Sequence, residues 1–143
     1  MEVKGITIHN TENDLSAREN KRLLKEGGRL NYCHFLVDEK EAIRTISEDE
    51  MALHTGKGYD LGNKYTLAIE ICRSTCNDDV YLKAEERAVE LIKKLMKKYH
   101  LTTDNLYFHH DFDNQRYCPH RILDRYVIKK AFIERYFKEG DNV

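Results

Sequence analysis

No stretch of this chain is apolar for long enough to cross a bilayer. Its start, Met-Glu-Val-Lys-Gly-Ile, lacks the apolar run of a secretory signal. The expectation is therefore a protein made in the cytoplasm without a signal peptide and without membrane insertion. Charge of one sign is missing too. The 24 Lys and Arg face 25 Asp and Glu, leaving a net charge of −1, so no nucleic acid partner is expected. Proline occurs once, and with 34% charged residues the chain reads as helix-rich rather than low-complexity. Cysteine is sparse: Cys33, Cys72, Cys76 and Cys118 are too few and too irregular for a disulfide scaffold, so reduced thiols are expected. At 143 residues the chain can build one core without staples, and a monomer is expected.

Local patterns divide the chain. Ile6 and Ile8 alternate with Thr7 and His9, predicting a half-buried strand over 5–9 with His9 at its end. After a polar break, Ser16 and Glu19 stand at capping-box spacing before a helix to about Glu26, which Gly27-Gly28 stops. Strands are predicted over 32–37 and 42–46, joined by the turn Asp38-Glu39-Lys40. From Ser47 to Lys64 the pattern fades into a long loop containing His54, Gly56, Gly58 and Gly62, and such loops are usually functional or mobile. Residues 65–72 form the clearest strand. Leu67, Ile69 and Ile71 share one face, leaving Ala68, Glu70 and Cys72 on the other. Ala84, Ala88, Leu91, Leu95 and Tyr99 predict an amphipathic helix over 81–99. A short strand over 105–109 follows. Pro119 then opens one last helix with Ile122, Tyr126, Ile133 and Phe137 among its apolar positions. Strands alternating with helices, without repeats or linkers, predict an α/β fold: a central mixed β-sheet flanked by helices, one domain over 1–143.

Strand parity picks out a candidate site. If the isoleucines of 5–9 face the core, His9 faces away. By the same logic Glu70 stands opposite Ile69 and Ile71, and His109 stands opposite Leu106 and Phe108. His9 and His109 are about a hundred residues apart, so only the fold can unite them. Together with Cys118 in a Cys-Pro turn they make a zinc-ligand set of two imidazoles and a thiolate, which leaves a fourth position open as catalytic sites do. The duller readings are a structural histidine at a strand end and a buried thiol acting as a small hydrophobe. His110 competes with His109; parity favours His109. A closed structural zinc would need a fourth protein ligand such as His120 or Cys33. Glu70 is either a solvated sheet residue or a general base. Arg116 is either a surface charge or a donor to a developing oxyanion. His34 and His54 are candidates for lining a substrate cleft.

These segments resemble the type-2 class of zinc-dependent N-acetylmuramoyl-L-alanine amidases, which includes phage endolysins and is related to the peptidoglycan recognition proteins. The resemblance runs through Ile8-His9-Asn10-Thr11, Cys33-His34-Phe35-Leu36-Val37-Asp38, His54-Thr55-Gly56, Asn63 and Ala68-Ile69-Glu70-Ile71-Cys72. It closes on His109-His110-Asp111-Phe112 and Arg116-Tyr117-Cys118-Pro119-His120. It implies the type-2 amidase fold, Zn2+ on His9, His109 and Cys118, and Glu70 as the catalytic glutamate. The implied reaction is hydrolysis of the bond between N-acetylmuramic acid and L-alanine in bacterial peptidoglycan, on the cell wall after release from the cytoplasm. Three departures accompany it. Arg116 stands where many relatives have lysine. The stretch Asp113-Asn114-Gln115 looks one residue longer than usual, so the common spacing to the cysteine is met by His110 while the His-x-Asp-aromatic pattern fits His109. Cys33 stands where some relatives carry tyrosine.

Two other classes compete. A non-catalytic peptidoglycan-binding module on the same fold would not need the ligand set, and a redox protein would use Cys72 and Cys76. The polar stretch Glu139–Val143 is expected to be loose, and a C-terminal wall-binding domain is expected beyond it in the longer protein.

Overall fold

A central parallel strand with apolar residues on one face and chemistry on the other organises the computed structural model, which describes residues 1–56 and 60–138. The strands are β1 (Gly5–Asn10), β2 (Phe35–Val37), β3 (Ala42–Arg44), β4 (Thr66–Ile71) and β5 (Leu106–Phe108). They form one mixed sheet in the order β3-β2-β4-β1-β5, parallel except where β3 runs antiparallel to β2. The helices are α1 (Ala17–Glu26), α2 (Leu61–Tyr65), α3 (Asp78–Tyr99), α4 (His109–Phe112), α5 (His120–Tyr126) and α6 (Lys129–Tyr136). Loop residue Gly58 and the tail Glu139–Val143 lie outside the described residues.

The larger core lies between the sheet and α3, α5 and α6. Ile6, Ile8, Leu67, Ile69, Ile71 and Leu106 meet Tyr81, Ala84, Ala88, Ile92 and Met96 of α3, with Ile122 and Phe132 beyond. Each fully buried aliphatic side chain contributes about 1.5–3 kcal/mol. A one-residue slip of β1 or β4 would drive His9 or Glu70 into this apolar layer, so the register is held by the face it would ruin. The opposite face carries a smaller cluster of Ala17, Cys33, Leu36, Ala52, Ala68 and Cys72, leaving room there for a cleft.

Several elements differ from their sequence expectation. The second strand starts at Phe35, because Leu30–Tyr32 closes a 3₁₀ turn in which the Tyr32 amide donates to Arg29 O. The long loop ends earlier, at Asp60, whose side chain caps α2 by accepting from the Asn63 amide. Helix α3 begins at Asp78 behind the Asn77 cap, with Asp78 and Asp79 in its first turn, where the helix dipole favours acidic side chains. The predicted last helix is two helices. Val127 takes φ 67° and ψ −50° with the Ile128 amide donating to Tyr126 O, a strained three-residue turn. The break swings α6 back so that Phe132 meets both Phe108 and Tyr126, at ring-centroid distances of 5.8 and 5.7 Å.

Candidate metal centre beside a buried glutamate

Three parallel strand ends deliver the site. His9 and Glu70 are register partners on β1 and β4, while β5 stops at Phe108 so that His109 follows as the first residue of α4. The chain then turns back, and the His110 amide donates to Cys118 O, which brings Cys118 under His9. Asn10 locks this return segment to β1. Its side-chain oxygen accepts from the Arg121 amide at 2.9 Å, and its amide nitrogen donates to Tyr81 Oη, which donates to buried Glu85. Tyr136 from α6 also donates to Glu85, so the C-terminal helices share this polar anchor.

His9, His109 and Cys118 are all buried, and their ligand atoms lie within 4.8 Å of one another. The His9 Nδ1–Cys118 Sγ distance is 3.7 Å, and the His9 and His109 ring centroids are 4.7 Å apart. Nitrogen at about 2.1 Å and sulfur at about 2.3 Å on one tetrahedral ion would stand roughly 3.6 Å apart. The donor set and its spacing therefore suit a metal ion. Burial holds both imidazoles below their ordinary value, so each keeps a ligating lone pair. The Cys118 thiol is pushed up to about 12, first by burial and then by Glu70, and a cation among these donors would reverse that.

His54 supports this group from behind. Its Nδ1 lies 2.9 Å from His9 Nε2. If His9 offers Nδ1 to the ion, its proton sits on Nε2 and donates to His54. Asn63 Oδ1 accepts from the backbone amides of His54 and Thr55, at 2.7 and 2.9 Å, fixing the turn. Gly62 lets that turn close, since a Cβ there would overlap the Thr55 side chain. His34 is elsewhere. It is wholly buried, its Nδ1 accepts from the Ala68 amide and its Nε2 donates to Glu50 O, so neither nitrogen is free to line a cleft. His110 is exposed and bonded to Arg116 O, outside the cluster.

Glu70 is 4% exposed, and its Oε2 has no hydrogen-bond partner among the described residues. Burial raises its carboxyl pKa well above the usual range; Glu12 adds to this and Arg116 opposes it. A cleft opens in front of it in two lobes. One, of about 380 Å³, is lined by Glu12, Leu24, Glu70 and Cys118, and the other, of about 560 Å³, by Leu53, His54 and Asp113. Arg29, Tyr32, His109 and Arg116 border both lobes. No local pattern marks Arg29, and the one sequence sign of Tyr32 is its place two residues before His34, inside the strand expected over 32–37. Cys33 itself points into the smaller core.

Several known proteins are similar to this chain. The model of a family described as N-acetylmuramoyl-L-alanine amidase matches residues 1–121. N-acetylmuramoyl-L-alanine amidase CwlA of Bacillus subtilis (strain 168) is 37% identical over 142 residues, covering 97% of this chain and 52% of that protein. Endolysin PlyTW of Staphylococcus phage Twort is 28% identical, covering 87% of this chain and 28% of that one. The chain thus spans about half or less of the length of these relatives. The solved structure of PlyL is similar with a TM-score of 0.88 at 34% identity, covering 96% of this chain and 86% of that one.

Proposed function

The chain belongs to the N-acetylmuramoyl-L-alanine amidase family, and from that premise we propose that it hydrolyses the amide between N-acetylmuramic acid and L-alanine in peptidoglycan. One observation carries the reading: two imidazoles and a thiol from distant parts of the chain converge beside a buried carboxylate with an unpartnered oxygen. His9 Nδ1, His109 and Cys118 Sγ would hold zinc. Bound there with a fourth position open, zinc supplies a Lewis acid that polarises a carbonyl and acidifies a water. Glu70 takes the proton of the attacking water and returns it to the departing nitrogen, its buried Oε2 having no other hydrogen-bond partner among the described residues. Arg116 faces the same cleft and donates to the carbonyl oxygen as it gains charge. His54 orients His9 and takes no part in the proton transfers.

The setting we propose is an endolysin catalytic domain over 1–143, monomeric, that reaches the wall after release from the cytoplasm. Purified walls incubated with the zinc-loaded protein should gain new L-alanine amino termini. Glu70→Gln should lower that release by at least ~100-fold with metal content intact, and Cys118→Ala should lose both. Wall binding without release by the wild-type protein would instead identify a binding module.

A further inference from the structure

The cleft carries a feature that the hydrolytic step does not use. Among the described residues, Arg18, Arg22, Arg44, Arg73, Arg121 and Arg125 each pair with a carboxylate. No ion pair is formed with a described carboxylate by Arg29, Arg87, Arg116 or Arg135, and of these only Arg29 and Arg116 line the lobes, beside Glu12 and Asp113. Arg29 is also held in place. Its amide donates to Leu24 O at 2.7 Å after the Gly27-Gly28 stop, where Gly28 takes φ 67°. Its guanidinium carbon lies 5.0 Å from the centroid of the Tyr32 ring. Stacking on an aromatic face pre-organises the planar fork that binds carboxylates in two-point fashion. Arg29 is exposed, and its contact with Tyr32 places it on the wall that both lobes share with His109.

We infer that Arg29, seated on Tyr32, is a recognition residue for the free carboxylate of the second residue in the substrate's peptide stem. The inference rests on the amidase reading. N-acetylmuramic acid enters its amide through its only carboxyl, so the sugar side of the scissile bond is uncharged. The peptide side carries free carboxylates wherever the stem is not amidated. With Arg116 turned to the scissile carbonyl, Arg29 is the other arginine, among the described residues, that borders both lobes. A charge-assisted, two-point contact there favours acidic stems over amidated ones.

Two soluble probes test this: N-acetylmuramoyl-L-alanyl-D-isoglutamyl-L-lysine, and the same peptide with the second-residue carboxylate amidated. The wild-type zinc enzyme should favour the acidic probe, mainly through a lower KM. Arg29→Gln should reduce that preference roughly tenfold, with Arg29→Lys intermediate. In the wild-type enzyme, added salt should raise KM for the acidic probe and leave the amidated one nearly unmoved. An acid-to-amide ratio unchanged in Arg29→Gln, or equal salt responses for both probes, overturns the inference while leaving the amidase reading intact. Cleavage of neither probe, nor of whole walls, overturns both.

Discussion

A hydrogen bond between two histidines decides how the candidate ligand set is aimed. His9 Nε2 lies 2.9 Å from His54 Nδ1, and that contact leaves the opposite nitrogen turned toward Cys118. Removing such a support typically costs 10–100-fold in metal affinity. His54→Ala should therefore weaken zinc binding by roughly that factor in a chelator competition. His54→Gln, which keeps an acceptor, should recover part of the loss. Full zinc affinity in His54→Ala would remove His54 from any positioning role. Parity along the strands puts His9 and Glu70 opposite the isoleucine face; for His109 the expected strand over 105–109 is one residue too long, since β5 ends at Phe108 and His109 opens α4. Parity says nothing about depth, so it could not tell that His34 is enclosed on both nitrogens. Nor could it find Arg29, whose place depends on a turn that only the folded chain defines.

Among the elements, the helix starts were legible where a side chain closes the first turn. Ser16 and Glu19 form the reciprocal cap expected of them. Breaks forced by tertiary packing were not legible. Val127 is β-branched, 73% exposed and held at φ 67°, a conformation no local preference of valine suggests. Such strain costs about 1–3 kcal/mol, against roughly 0.5–1 kcal/mol of extra backbone freedom when glycine enters the unfolded chain. Val127→Gly should accordingly stabilise the protein by about 1 kcal/mol in urea titration. Destabilisation would mean that the valine side chain contributes more than its backbone costs. Short α2 escaped the sequence reading because five residues carry too little periodicity, although Asp60 at its cap was a usable sign.

For the whole molecule, buried histidines set the response to acid. Burial holds His34 below its ordinary 6.5, with the Glu50 carbonyl and the charges of Glu48 and Glu50 opposing, and burial takes His54 to about 3. The unfolded chain therefore binds more protons than the folded one as pH falls through 6.5. The stabilisation from these groups is complete above about pH 6.5 and is lost toward their folded values. Glu85 and Glu70, both raised by burial, work in the other direction: their contributions are present below about 4.5 and fade as pH rises through their folded values. The urea midpoint of metal-free protein should thus fall between pH 7 and 5, and less steeply in His34→Gln. Identical slopes would exclude His34 as a contributor.

His9 lies near one end of the described chain and Cys118 lies 109 residues further on. An ion shared by them ties almost the whole domain into a closed ring. The three donors meet only in the folded chain, so the ion stabilises by binding that state alone. At a hundred times its dissociation constant, the ion adds about 2.7 kcal/mol of resistance to unfolding. The same atoms proposed to prepare a carbonyl for attack would then also act as a reversible clasp. Metal starvation would loosen the whole domain together with its chemistry.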